Sequence, residues 1–115
     1  MSAHFVSAPI GIRVRHSTHR LELTYEDGEI VTLPAELLRV LAPQPPGSHE
    51  LVAGKRLVRL LAAEPVGNYA LRLRFSDGFD SGIYSWEFLC ELGREQKIRW
   101  RRYLRLLEET RLSRD

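Results

Sequence analysis

A single cysteine, Cys90, stands in this chain of 115 residues. It excludes an intramolecular disulfide and any zinc or iron–sulfur centre built from several cysteines of the chain. Within SWEFLCEL, an apolar helical pattern, Cys90 reads as a small buried hydrophobe rather than a reactive thiol. No apolar run approaches the roughly 20 residues that span a bilayer. The opening MSAHFVSAPIGIRVRHSTHR lacks the basic start and long apolar core of a secretory signal, so a soluble, cytoplasmic protein is expected, with no membrane partner.

Chemical motifs are equally sparse. The four histidines are scattered, with His4 in the tail and His49 in a Pro-rich loop. His16 and His19 fall in a segment read as extended, where they point to opposite faces and chelate poorly. There is no His-Glu-x-x-His, no Gly-x-Ser-x-Gly elbow, and no phosphate loop: Val52-Ala53-Gly54-Lys55 lacks the following Ser or Thr. No catalytic constellation is found, and no cofactor is expected. Asp27 and Asp77 form a carboxylate pair only on paper, since Asp before Gly is what a hairpin turn uses.

What is present is a repeated pattern. Leu21, Leu23 and Tyr25 alternate with polar residues, the period of a half-buried strand. Asp27-Gly28 fits a two-residue turn, and Glu29 to Leu33 returns. Pro34 opens a helix whose apolar face is Leu37, Leu38 and Leu41, and Pro43 stops it. The loop APQPPGSHE follows. Arg56 to Ala63 reads as a strand broken by Glu64-Pro65-Val66-Gly67-Asn68. Leu71, Leu73 and Phe75 then repeat the alternation, Asp77-Gly78 turns, Ser81 to Tyr84 returns, and Ser85 caps a helix from Trp86 to Leu92. Gly93 reads as a stop or a kink before a helix over 94–112.

The expected fold class is therefore α+β. Two ββα units, each a hairpin covered by a helix, share one core, and a C-terminal amphipathic helix is added. The expected organisation is a flexible or edge-strand segment over 1–16, a domain over 17–93 and a basic helix over 94–115. In that helix Trp100, Tyr103, Leu104 and Leu107 share an apolar face, while Lys97, Arg101 and Arg105 share another. Lys97, Arg101, Arg102 and Arg105 are the candidate interaction residues. Ile98 and Leu106 lie off the apolar stripe, which leaves them for a partner or a second copy to cover.

The order of Asp27-Gly28, Leu38-Arg39, Val66-Gly67-x-Tyr69-Ala70, Asp77-Gly78 and Gly82-Ile83-Tyr84-Ser85-Trp86 resembles the gamma-butyrobetaine hydroxylase N-terminal-like domain, a family of unknown function. The resemblance covers roughly Ser17 to Gly93. It implies a domain that stands alone in bacteria, precedes the catalytic domain of 2-oxoglutarate-dependent dioxygenases, or accompanies iron–sulfur carrier ATPases. In the dioxygenases the module resembles a small zinc domain, with a cysteine cluster after the Leu-Arg helix and a histidine after the second Asp-Gly. Here Val40 to Gly47 has no cysteine, and Phe79 occupies the histidine position. The resemblance thus implies the fold without its zinc ligands or its oxygenase chemistry. Phe79 is expected near Pro43, Pro45 or Pro46, in an apolar contact that replaces the metal.

The expected function is a stand-alone, non-catalytic accessory domain for an unknown protein partner, which the resemblance directs toward iron–sulfur assembly or oxygenase components. One alternative is binding of nucleic acid or an acidic partner by the basic helix, with Trp100 and Tyr103 stacking on bases. A second is a metal-binding or oxidoreductase-associated protein, as the family label implies.

Overall fold

The computed structural model describes residues 8–48 and 50–115; His4, His49 and the tail through residue 7 lie outside them. Strand β1 (Gly11–Arg15) pairs antiparallel with β2 (Arg20–Thr24), which pairs with β3 (Ile30–Pro34). Helix α1 (Ala35–Val40) follows. A second antiparallel sheet has the order β4 (Leu60–Val66), β5 (Ala70–Phe75), β6 (Ile83–Ser85), and helix α2 (Trp86–Glu109) follows it. Each ββα unit thus has an additional strand, β1 or β4, beside its hairpin, these two strands approach one another, and the fold is mixed α+β with a C-terminal helix.

The alternation sorts the side chains as the period-two pattern dictates. Leu21, Leu23 and Leu33 from the first sheet meet Leu60, Leu71, Leu73 and Phe75 from the second. Leu37 and Leu38 of α1, with Leu89 and Leu92 of α2, complete the same cluster. Most of these leucines are fully buried, each contributing about 2 kcal/mol of apolar transfer. The two units therefore stabilise one another through a common interior.

Several boundaries differ from expectation, each for a physical reason. β1 ends at Arg15, and His16 to His19 make a turn, with His19 at a φ of 55°. The His19 carbonyl accepts from Ala35 N–H at 2.8 Å, so the turn satisfies an otherwise unpaired donor at the start of α1. Neither Asp-Gly pair forms a two-residue turn. Tyr25 N–H donates to Glu29 and Gly28 N–H donates to Tyr25, enclosing Glu26-Asp27-Gly28 in a loop that ends on a left-handed glycine. Phe75, Phe79 and Gly78 repeat this arrangement. β4 begins at Leu60 and runs through Pro65 to Val66. Its place at the sheet edge tolerates a residue without an N–H.

Gly93 neither stops nor kinks the last helix, which is continuous from Trp86 to Glu109. A Cβ on Gly93 would stand 2.8 Å from Val31 Cγ1, so the missing side chain is what lets α2 lie against β3. That packing outweighs the weak helix propensity of glycine, a deficit of about 1 kcal/mol. A boundary at 93/94 would fall inside one helix. Ser85 caps its start by accepting from Phe88 N–H at 3.1 Å. The other end closes with Arg111 at a φ of 58°, Leu112 N–H donating to Leu107 and Arg111 N–H donating to Glu108.

Candidate functional site

The second Asp-Gly turn lands beside α1 and the Pro-rich loop. Asp77 Oδ1 accepts from Phe79 N–H at 3.1 Å, which holds the turn. Its Oδ2 accepts from Arg39 Nε and from Lys55 Nζ, both at 2.7 Å. Burial opposes ionisation of Asp77. The hydrogen bonds from Lys55, the Phe79 amide and Arg39 outweigh it and draw the carboxyl down to about 2.

Phe79 is held between two partners. Its ring lies 6.1 Å from that of Phe75, and the Arg39 guanidinium stacks over it at 4.2 Å. Gly82 makes room for this arrangement, since a Cβ there would meet Phe79 at 3.0 Å and Tyr84 at 2.9 Å. Tyr84 is fully buried and donates its hydroxyl to the Leu38 carbonyl at 2.5 Å. Burial pushes its phenol well above the ordinary tyrosine value. This bond satisfies one of the last carbonyls of α1 and ties the helix to β6.

The Pro-rich loop has no regular secondary structure, but Gln44 organises it. The Gln44 amide donates to the Glu50 carbonyl at 2.8 Å and accepts from Glu50 N–H at 2.9 Å and Ser48 Oγ at 3.2 Å. Between this loop and β6 is a cavity of about 560 Å³. Arg39, Pro43, Gln44 and Pro45 line one side of it, and Phe79, Ser81 and Ile83 the other. Phe79 and two of the prolines thus share the walls of one cavity.

On α2, Lys97, Arg101, Arg102 and Arg105 are exposed. Among the described residues none of the four forms an ion pair, whereas Arg99 pairs with Glu91 and Glu95. Ile98 is 61% exposed and Leu106 41% exposed beside them. Tyr103 and Leu107 are buried as their shared face requires, but Leu104, expected on that face, is 37% exposed. The proposed base-stacking role of the aromatics does not survive. Tyr103 is buried and donates to the Val52 carbonyl at 2.6 Å, and half-buried Trp100 packs on the core under Arg114. Cys90 is half-buried rather than fully enclosed.

Three further clusters escaped the sequence reading: the Asp77–Arg39–Lys55 group, the Gln44 staple, and the Glu36–Arg114 pair. The last is bidentate, at 2.9 and 2.7 Å, and fixes the C-terminal segment to α1. The Leu38-Arg39 and Asp77-Gly78 motifs held a signal for the first of them, and the other two had none. Asp27 and Asp77 remain turn residues on separate hairpins.

The family model described as gamma-butyrobetaine hydroxylase-like, N-terminal, matches residues 12–90. The chain belongs to this family. Two proteins with NMR solution structures are similar over nearly all of it. One is 38% identical with a TM-score of 0.83, covering 95% of this chain and 90% of that chain. The other is 34% identical with a TM-score of 0.84, covering 99% and 89%. A crystal structure of a protein of unknown function from the DUF971 family, from Acidithiobacillus ferrooxidans ATCC 23270, is 35% identical with a TM-score of 0.68 and covers 79% and 98%. Comparison with curated proteins gave no significant match.

The zinc centre implied by the family resemblance does not fit the residues found here. The Phe79 ring is occupied by Arg39, and the facing loop offers proline and glutamine rather than thiolates. Among the described residues no group of three or more His, Cys, Asp or Glu side chains is placed to hold a metal. No helix of the described residues is long and apolar enough to cross a membrane.

Proposed function

We propose that the chain is a non-catalytic interaction domain that presents the outer face of α2 to a protein partner. The observation that carries this reading is the row of exposed cations Lys97, Arg101, Arg102 and Arg105, without an ion pair among the described residues, interleaved with exposed Ile98 and Leu106. Cations that form no ion pair, with only Glu108 and Glu109 near Arg105 to offset them, favour an acidic partner, and adjacent apolar side chains supply the area that charge alone does not. The family resemblance directs the search to iron–sulfur assembly and oxygenase components.

Tyr103 and Leu107 belong to the interior, so deleting the helix would test folding rather than binding. The informative variant is Arg101→Glu, Arg102→Glu, Arg105→Glu, whose sites are exposed. Affinity capture from the native cell is expected to enrich a partner on the unaltered chain and lose it on this variant, with the melting temperature unchanged. Retention of the same partner by the variant would sink the reading. Labelled single-stranded and duplex DNA and RNA test the nucleic-acid alternative, which requires binding that falls steeply with salt.

A further inference from the structure

A different surface, the free edge of β6, points to a second kind of recognition. Leu73 N–H donates to Gly82 at 3.4 Å, Trp86 N–H donates to Tyr69 at 3.1 Å, and Leu71 and Tyr84 are partners between them. In an antiparallel ladder such alternate residues turn their N–H and C=O groups toward the neighbouring strand, and the residue between them turns its own away. Ile83 therefore directs both backbone groups away from β5. The strand order β4-β5-β6 leaves that side without a neighbouring strand, and Ile83 lines the cavity there. Among the described residues nothing from across the cavity hydrogen-bonds to its backbone. The opposite edge of the sheet differs, because Pro65 in β4 removes a donor and blunts it.

The cavity combines this unpaired backbone with a wall of Pro43, Pro45 and Phe79. Main-chain donors and acceptors beside an apolar wall suit an extended peptide, whose backbone supplies the affinity and whose alternate side chains supply the selectivity. The short edge sets the reach at about three partner residues, on the order of 10 Å. The charged lining is balanced, with Arg39 paired to Asp77 on one side and Glu50 on the loop side. Beyond its Nε, the Arg39 guanidinium hydrogen-bonds to nothing among the described residues and adds donors for a peptide carbonyl. We propose that the cleft between β6 and the Pro-rich loop docks an extended peptide segment of a partner protein, with apolar side chains toward Pro43, Pro45 and Phe79, by adding a strand to β6.

The test is selection of displayed random heptapeptides on the whole chain, followed by amide NMR with the synthetic peptides selected. The selected peptides are expected to carry apolar residues at alternate positions, to shift the Ser81, Ile83 and Gln44 amides and to slow exchange of the Ile83 amide. N-methylating alternate peptide nitrogens should weaken binding about fivefold for each backbone bond lost, since such a bond is worth about 1 kcal/mol. Ile83→Pro should do the same, and the methylated peptides provide the answer if that variant misfolds. The charge-reversed α2 variant should bind these peptides unchanged, which separates this site from the outer face of α2. Absence of enriched peptides, shifts confined to α2, or full binding by N-methylated peptides would overturn the proposal. So would concentration-dependent shifts at Ile83 without peptide, which would assign the edge to a second copy of the chain.

Discussion

Asp27 and Asp77 each accept a hydrogen bond from the backbone N–H two residues on, and the glycines that follow have φ values of 90° and 92°. Beyond that local chemistry the two hairpins diverge. β2 and β3 pair without interruption from Thr24↔Ile30 to Arg20↔Pro34. After the second turn, pairing with β5 is interrupted between Phe79 and Gly82 and resumes at Arg72↔Ile83. Asp27 forms no ion pair among the described residues, whereas Asp77 joins Arg39 and Lys55. One turn sequence thus serves two purposes, and what lies across from it decides which. The first hairpin only reverses the chain. The second also clamps α1 and opens a cavity.

The common interior is the first place to test this comparison. Leu23 and Leu73 occupy equivalent positions in the two units, and both are fully buried. Leu23→Ala and Leu73→Ala should each cost about 2–5 kcal/mol in urea denaturation, by similar amounts and in a single transition. Separate transitions would show that the units do not share a core.

The turns should then separate. Asp77→Ala leaves Arg39 and Lys55 without their carboxylate and should cost about 2–3 kcal/mol. Asp27→Ala removes only a turn hydrogen bond and should cost about 0.5–1 kcal/mol. Equal losses in thermal denaturation would erase the distinction.

Acid sharpens it further. The Asp77 carboxyl has a lower pKa in the folded chain than its ordinary value, so the stability it contributes is present above about pH 4. That stability is lost as the pH falls through about 2. Allowing for solvent screening, the loss should be on the order of 1–2 kcal/mol. Stability of the unaltered chain and of Asp77→Asn, measured from pH 6 to pH 2, should converge at the acid end. A constant gap would remove Asp77 from the account.

The legible parts of the fold were those written in local period and turn chemistry. Alternating leucines gave the strands, Ser85 gave the cap of α2, and both glycines after Asp marked reversals. Less legible were features decided by distant neighbours. Gly93 reads as a breaker until Val31 is placed against it, and Pro65 breaks a strand only if that strand is central. Two Asp-Gly pairs look alike in the sequence, because Arg39 and Lys55 approach only one of them in space. Phe79 stood out through the family resemblance, yet Gln44, which organises the facing loop, had no marker in a Pro-rich stretch. The basic residues of α2 were legible by helical spacing. The unavailability of Trp100 and Tyr103 followed from the same spacing, since they share the buried face.

Gly93 has a consequence well beyond its own contact. A helix can be turned about its axis, and each residue of error would swing its surface through about 100°. The close approach of Val31 admits only a position with no side chain, so it sets that angle like a key in a slot. Arg101 and Arg105 therefore owe their outward direction to a methyl group that is missing on the inner side of the helix.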